Sequence, residues 1–226
     1  MTTEIIEEIQ RHLGVDDDGI AGPVTWAAIA KGLGLHSVVA SRKMKDPEAF
    51  FSAVRKVTGP LDPEQVDIIN GLLEAAAHWT VGWLAYGLAT AWHEARLKSI
   101  EEWGRGKGHS YGIVNETGKA PYGRGLVQIT WHRNYEVMDA ALGLGGRLVE
   151  DYDLALDPEI ATRALVVGMQ RGLFTGKSLG TYITPGLGKH DEFVDARRII
   201  NGTDKAELVA GYADSFKAAL IAGGWA

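Results

Sequence analysis

Three times in this chain an aspartate stands directly before a proline at the head of an apolar run: Asp46-Pro47, Asp62-Pro63 and Asp157-Pro158. An N-cap aspartate accepts a hydrogen bond from an orphan N–H of the first helical turn, and the proline after it gives up an N–H that has no partner there anyway. The pairs therefore predict helix starts. The residues behind them recur at helical spacing: Phe50, Val54 and Val57; Val66, Ile69 and Leu73; Ile160, Ala164, Leu165 and Met169. Alternating patterns, the mark of a strand, are confined to the short run Leu126 to Thr130, and no strand–helix–strand rhythm appears. The fold class that follows is mainly α.

With 226 residues the chain is long enough for one well-packed domain and a small appendage. The absence of cysteine excludes a disulfide scaffold, thiolate metal ligation and a cysteine nucleophile. A net charge of -6 lacks the positive field that nucleic-acid binding requires, so nucleic acid is not an expected partner. The most apolar stretch, Val81 to Trp92, is shorter than the ~20 residues needed to span a bilayer, and Gly82, Gly87 and Thr90 interrupt it. It predicts a buried core helix and no stable membrane insertion. The opening MTTEIIEEIQRHLG is acidic and amphipathic rather than cationic then apolar, so no secretory signal is expected.

Residues 1–35 form a separate unit by pattern. Ile5, Ile9 and Leu13 recur at helical spacing, Gly14 stops that helix, and a second short helix starts after Gly22-Pro23. Between the helices lies the acidic turn Asp16-Asp17-Asp18-Gly19, which lacks the downstream glutamate of a calcium loop. A linker is expected over residues 36–45, and the main domain over 46–226. The segment DGIAGPVTWAAI resembles the D-G-x-x-G-x-x-T-x-x-A segment of small helical peptidoglycan-binding domains. That resemblance implies wall binding through Asp18, Thr25 and Trp26.

The apolar helix ends in His93-Glu94-Ala95-Arg96-Leu97 and leads to Ile100-Glu101-Glu102-Trp103 and the glycine-rich Gly104-Arg105-Gly106-Lys107-Gly108. A zinc-peptidase H-E-x-x-H is excluded because Leu97 stands where the second histidine would be, and no metal or cofactor is expected. The glycine stretch follows a helix and lacks G-K-[ST], so it reads as a flexible or tightly turned loop, not a phosphate cradle. What remains is Glu94 with Glu101 or Glu102, carboxylates close in sequence on different elements. Glycoside hydrolysis needs such a pair, but spacing alone does not distinguish it from two surface glutamates.

The run Pro121-Tyr122-Gly123-Arg124-Gly125-Leu126-Val127-Gln128-Ile129-Thr130-Trp131-His132-Arg133-Asn134-Tyr135 resembles the Y-G-R-G-x-x-Q-[LI]-[TS]-x-x-x-N-Y signature of family 19 glycoside hydrolases, the chitinase-like group that includes many phage endolysins. Ala91-Trp92-His93-Glu94, Ile100-Glu101-Glu102-Trp103-Gly104 and the late run Ala196 to Asp204 add to it. The resemblance spans residues 46–226 and implies a lysozyme-like, two-lobed helical domain with a central cleft. It also implies inverting hydrolysis, with Glu94 as general acid and Glu102 as general base, Glu101 and Glu116 competing for the second role. Desolvation and the negative pole of a buried helix would favour the protonated form of Glu94.

By the same resemblance Thr130 helps hold the attacking water, and Gln128, Asn134 and Asn201 bind the sugar. Tyr122 and Trp103 offer flat faces for stacking, or else are core residues. His93, Arg124, Arg197 and Arg198 read as structural, the arginines bridging carboxylates or carbonyls. Together the two resemblances imply a monomeric endolysin, a bacteriophage hydrolase. It would be made in the host cytoplasm, act on periplasmic peptidoglycan and cut its β-1,4 glycosidic bonds. A chitinase and a non-catalytic wall-binding component are the alternatives.

Overall fold

The computed structural model describes all residues except 1–2, 16, 18, 20–24, 26–27, 30–31, 33–41, 117 and 226. The chain divides into two compact units, Met1–Arg42 and Lys43–Ala226. The described residues carry ten α-helices and one two-stranded ribbon, a mainly α protein.

In the first unit helix α1 (Thr3–Leu13) ends at Gly14, whose φ of 68° is cheap only for glycine. Its buried residue is Gln10, not the predicted apolar stripe: Gln10 Nε2 donates to Thr25 Oγ1 (2.9 Å) and its Oε1 accepts from Gly19 N (2.9 Å), while Ile5 is exposed. Most of the second expected helix lies outside the described residues.

In the second unit all three Asp-Pro devices start helices: α2 (Pro47–Thr58), α3 (Pro63–Ala75) and α7 (Pro158–Arg171). Asp46 caps Ala49 N (2.9 Å), and Asp157 caps Glu159 N (3.0 Å) and Ile160 N (3.1 Å). Asp62 and Gln65 close a reciprocal capping box, each accepting from the other's N–H at 3.0 Å. On α3 the buried face is Gln65, Ile68, Ile69 and Leu72, rotated from the expected Val66, Ile69 and Leu73, because Gln65 turns inward to donate to Arg96 O (2.8 Å).

Helix α4 (Val81–Ala95) is the buried core helix, with Leu84, Ala85, Leu88, Ala89 and Ala91 fully enclosed. Each large side chain taken out of water stabilises the fold by roughly 1.5–3 kcal/mol. It packs mainly on the last helix, α10 (Ala206–Ala222), which also packs on α2. At the start of α4, Gly82 lets the loop that precedes His190 come close, since a Cβ there would lie 2.7 Å from Gly188 N. Lys45 N and Asp46 N both donate to Gly223 O (3.0 and 2.9 Å), and the buried Trp225 indole donates to Trp79 O (3.3 Å). The start and finish of this unit are thus hydrogen-bonded to each other.

Between α4 and α7 the chain forms the ribbon β1 (Ile100–Glu101) with β2 (Arg124–Gly125), antiparallel with Ile100 opposite Gly125 and Glu101 opposite Arg124. Helices α5 (His132–Leu142) and α6 (Arg147–Glu150) follow. After α7 come α8 (Leu179–Tyr182) and α9 (His190–Ala196), then a 3-10 turn at Arg197–Ile199. The strand expected at Leu126 to Thr130 is instead a turn closed by Arg124 and Ile129, which exchange N–H and carbonyl bonds (3.2 and 2.9 Å). Gln128 in the left-handed region (φ 53°) reverses the chain, which simple alternation cannot show.

Candidate active site

Glu94 stands in the last turn of α4, where the helix is stopped without glycine: Arg96 and Leu97 both take positive φ, 53° and 56°, and Leu97 N reaches back to Ala91 O (3.0 Å). Its Oε1 accepts from Arg197 Nη1 at 2.6 Å, and Arg197, only 1% exposed, also donates Nε to Asp204 O (2.8 Å). Arg197 is the carboxylate-bridging arginine the sequence suggested. Burial holds the neighbouring His93 imidazole below its ordinary value, so it is neutral near pH 7.

Glu102 follows β1. Its backbone N–H donates to Gly123 O (2.7 Å), and Gly123 N donates to Glu102 Oε2 (3.0 Å). The other oxygen, Oε1, accepts from Tyr111 OH (2.9 Å). The glycine loop makes this reach possible: Gly104, Gly106 and Gly108 take φ of 80°, 70° and 87°, and successive turns bond Arg105 N to Glu102 O and His109 N to Gly106 O. Of the two forms its composition allowed, flexible or tightly turned, the loop takes the second. Two donors, and no ion pair among the described residues, leave Glu102 oriented, with lone pairs to spare for a water proton.

Glu101 is engaged differently. Tyr122 OH donates to its Oε1 (2.6 Å) and Arg105 binds its Oε2 through Nη2 (2.8 Å) and Nε (3.0 Å). The Tyr122 phenol first, then Arg105, hold its carboxyl below the usual glutamate range. Glu116 is exposed on the outer part of the same loop.

Gln128, Thr130 and Asn134 come together on a cavity of about 160 Å³ that Met138, Phe174 and Ile200 also line. Gln128 Nε2 is committed to Ile100 O (3.0 Å) and Gly125 O (2.9 Å), leaving its carbonyl oxygen as the available group. Thr130 Oγ1 donates to Gln128 O (2.8 Å), and Asn134 Nδ2 donates to Thr130 O (2.6 Å). Glu102 adjoins this wall, because a Cβ on Gly123 would lie 2.9 Å from Gln128 Oε1 and 3.2 Å from Glu102 Cβ. On the other side Ile200 lies three residues beyond Arg197. Asn201 is exposed and does not line the cavity; its N–H donates to Arg197 O (3.0 Å).

Of the two aromatic residues expected to stack on sugar, Tyr122 is placed otherwise. It is 8% exposed, and the Arg124 guanidinium covers its ring at 3.6 Å, so it serves as the core residue that anchors Glu101. Arg124 is structural, bonding Asp153 (2.7 Å), Tyr122 O (3.0 Å) and Tyr135 OH (3.2 Å). Trp103 is 99% exposed. Sequence reasoning missed Tyr111 and Trp131. Trp131 adopts φ 74° and ψ 135°, a strained backbone for any residue with a side chain, costing ~1–3 kcal/mol. Its ring meets Tyr111 edge-on at 5.3 Å.

In the first unit Thr25 is 3% exposed and is tied to Gln10, so it is an internal link and not a wall contact. Asp18 and Trp26 lie outside the described residues. Among the described residues no three His, Asp or Glu side chains gather as a metal cluster, and no helix is long and apolar enough to cross a membrane. Comparison with protein-family models, curated proteins and solved structures found no match to this chain.

Proposed function

We propose that the unit Lys43–Ala226 is an endolysin-type glycoside hydrolase that cleaves β-1,4 bonds of bacterial peptidoglycan, with a lysozyme-like, two-lobed arrangement around the candidate site. The observation that supports this reading is one cavity whose polar wall comes from the signature run, with a carboxylate beside that wall. Gln128, Thr130 and Asn134 form its polar wall, Glu102 adjoins that wall through Gly123, and the Glu94–Arg197 pair precedes the lining residue Ile200.

In this mechanism Glu94 carries its proton on Oε2 and gives it to the leaving glycosidic oxygen, while Oε1 keeps its bond from Arg197. The new carboxylate then remains paired with the guanidinium. Glu102 takes a proton from water as that water's oxygen attacks the anomeric carbon from the opposite face, so the carbon inverts. Such a reaction calls for ~6.5–9.5 Å between the carboxyl groups. Thr130, whose hydrogen is committed to Gln128 O, accepts from the same water. The first unit supplies a second attachment to the wall.

Mass spectrometry of products from purified sacculi, alongside chitin oligomers, tests the reading. Hydrolysed reducing ends from sacculi support it. Preferential cleavage of chitin makes the enzyme a chitinase, anhydro ends make Glu102 dispensable and the reaction a transglycosylation, and binding without turnover refutes catalysis.

A further inference from the structure

Trp131 is held in place by more than its neighbours in sequence. Its N–H donates to Pro121 O (2.8 Å), and its carbonyl accepts from Asn134 N (3.0 Å) and Tyr135 N (3.3 Å), which fixes the strained backbone at the head of α5. Its indole is 48% exposed and braced on one edge by Tyr111, at 5.3 Å and 75° between ring planes. Tyr111 is in turn stacked on His109 at 4.9 Å and 3°, and its hydroxyl donates to Glu102. The residue before Trp131 and the residue three after it, Thr130 and Asn134, line the cavity.

A half-open indole with a fixed rim position beside a polar cavity is suited to the C–H face of a pyranose. Little side-chain entropy is lost when it is already braced. Trp103 has a comparable ring but is 99% exposed and makes no ring contact among the described residues. On the glycosidase reading above, we infer that Trp131 is a sugar-stacking platform at a subsite beside the cavity, with Tyr111 as its brace. The platform binds an N-acetylated hexosamine ring of the substrate chain. It sets affinity and chain-length preference rather than the chemical step, since neither Trp131 nor Tyr111 exchanges a proton with the substrate.

The test compares wild type with Trp131→Phe, Trp131→Ala and Trp131→Gly in hydrolysis of soluble glycan fragments and of N-acetylglucosamine tetramer. Titration of the tetramer is followed by the 15N indole signal of Trp131. Alanine is expected to raise KM at least about fivefold with kcat within about twofold, and phenylalanine to recover part of the affinity. The Trp131 signal, identified by its loss in the Phe variant, is expected to shift on titration. Glycine relieves the backbone strain and so supplies a folded variant if alanine fails to fold. An unchanged KM in a folded Ala or Gly variant, in an enzyme that does cleave glycan, overturns the platform and leaves the glycosidase reading standing. A wild type that neither binds nor cleaves any of these glycans overturns both.

Discussion

Arg197 Nη1 lies 2.6 Å from Glu94 Oε1 although 103 residues separate them, and the same guanidinium holds Asp204 O at 2.8 Å through Nε. Removing the cation and removing the carboxylate should therefore have different effects. Arg197→Met leaves Glu94 beside an unfilled polar site and is expected to cost ~3 kcal/mol, the low end for a broken buried pair because Glu94 is 22% exposed. Glu94→Gln keeps an acceptor for Arg197 and should stay within ~1 kcal/mol of wild type, yet abolish lysis because an amide delivers no proton. Urea unfolding and sacculus turbidity, measured on both variants, check the split; lysis by Glu94→Gln at the wild-type rate would remove Glu94 from the mechanism.

The three neighbouring glutamates are expected to separate in the same assay. Glu102→Gln should lose most activity, on the order of 100-fold or more. Glu101→Gln loses the ion pair to Arg105, whose side chain is 69% exposed, while its amide oxygen still accepts from Tyr122, so its effect should fall on stability more than on rate. Glu116→Gln, at an exposed loop position, should change neither. Inactivity of Glu116→Gln alone would move the base to the outer loop.

Gly123 gives a test of geometry without touching a charged group. A methyl there would sit 2.9 Å from Gln128 Oε1 and 3.2 Å from Glu102 Cβ. Gln128 is tied to two carbonyls and cannot swing away, so the strain passes to Glu102. Gly123→Ala is expected to lower kcat about tenfold or more while costing ~1–3 kcal/mol in stability. Unchanged kcat in a folded variant would detach Glu102 from the reaction.

Away from the site, His190 lies between Asp214 (2.6 Å) and Glu207 (3.1 Å), and Lys217 bonds Asp214 from the same helix (2.7 Å). Asp214 first, then Glu207, raise the imidazole above its ordinary 6.5. The folded state therefore binds the proton more tightly than the unfolded chain. The resulting stability is fully present below 6.5 and is lost as pH rises through the raised folded value. Melting wild type and His190→Gln at about pH 6 and about pH 9 should show a gap that narrows at the higher pH. A gap that widens would contradict the pairing.

The parts of this fold governed by neighbouring residues were legible in the sequence, and those governed by distant ones were not. Asp46, Asp62 and Asp157 cap helices because a cap involves only the next three residues. Gln65 illustrates the limit: its amide reaches Arg96 O, 31 residues away, and turns α3 away from its apolar spacing. The apparent strand at Leu126 to Thr130 failed on one backbone angle, at Gln128. In the site, Gln128, Thr130 and Asn134 of the signature run line one cavity, a grouping that only the turn at Gln128 creates. Tyr111 has no periodic signal, because alternate glycines in a turned loop, not a helix or strand, bring it to Glu102.

Because Lys45 and Asp46 share the Gly223 carbonyl, the backbone of the unit Lys43–Ala226 traces an almost closed circuit. Where such a circuit is cut is then a free choice, as long as the break falls on exposed chain that packs on nothing. Gly145 qualifies: it is exposed and a Cβ there meets nothing within 4 Å, whereas Leu144 before it packs on the core and Gly146 N after it donates to Asp139 Oδ1 (2.7 Å). A circular permutant that joins the old ends by a short flexible linker and opens at Gly145 should retain cooperative unfolding and the activity of its parent. The order in which these helices leave the ribosome is then incidental to the architecture, whose specification lies in the contacts around α4.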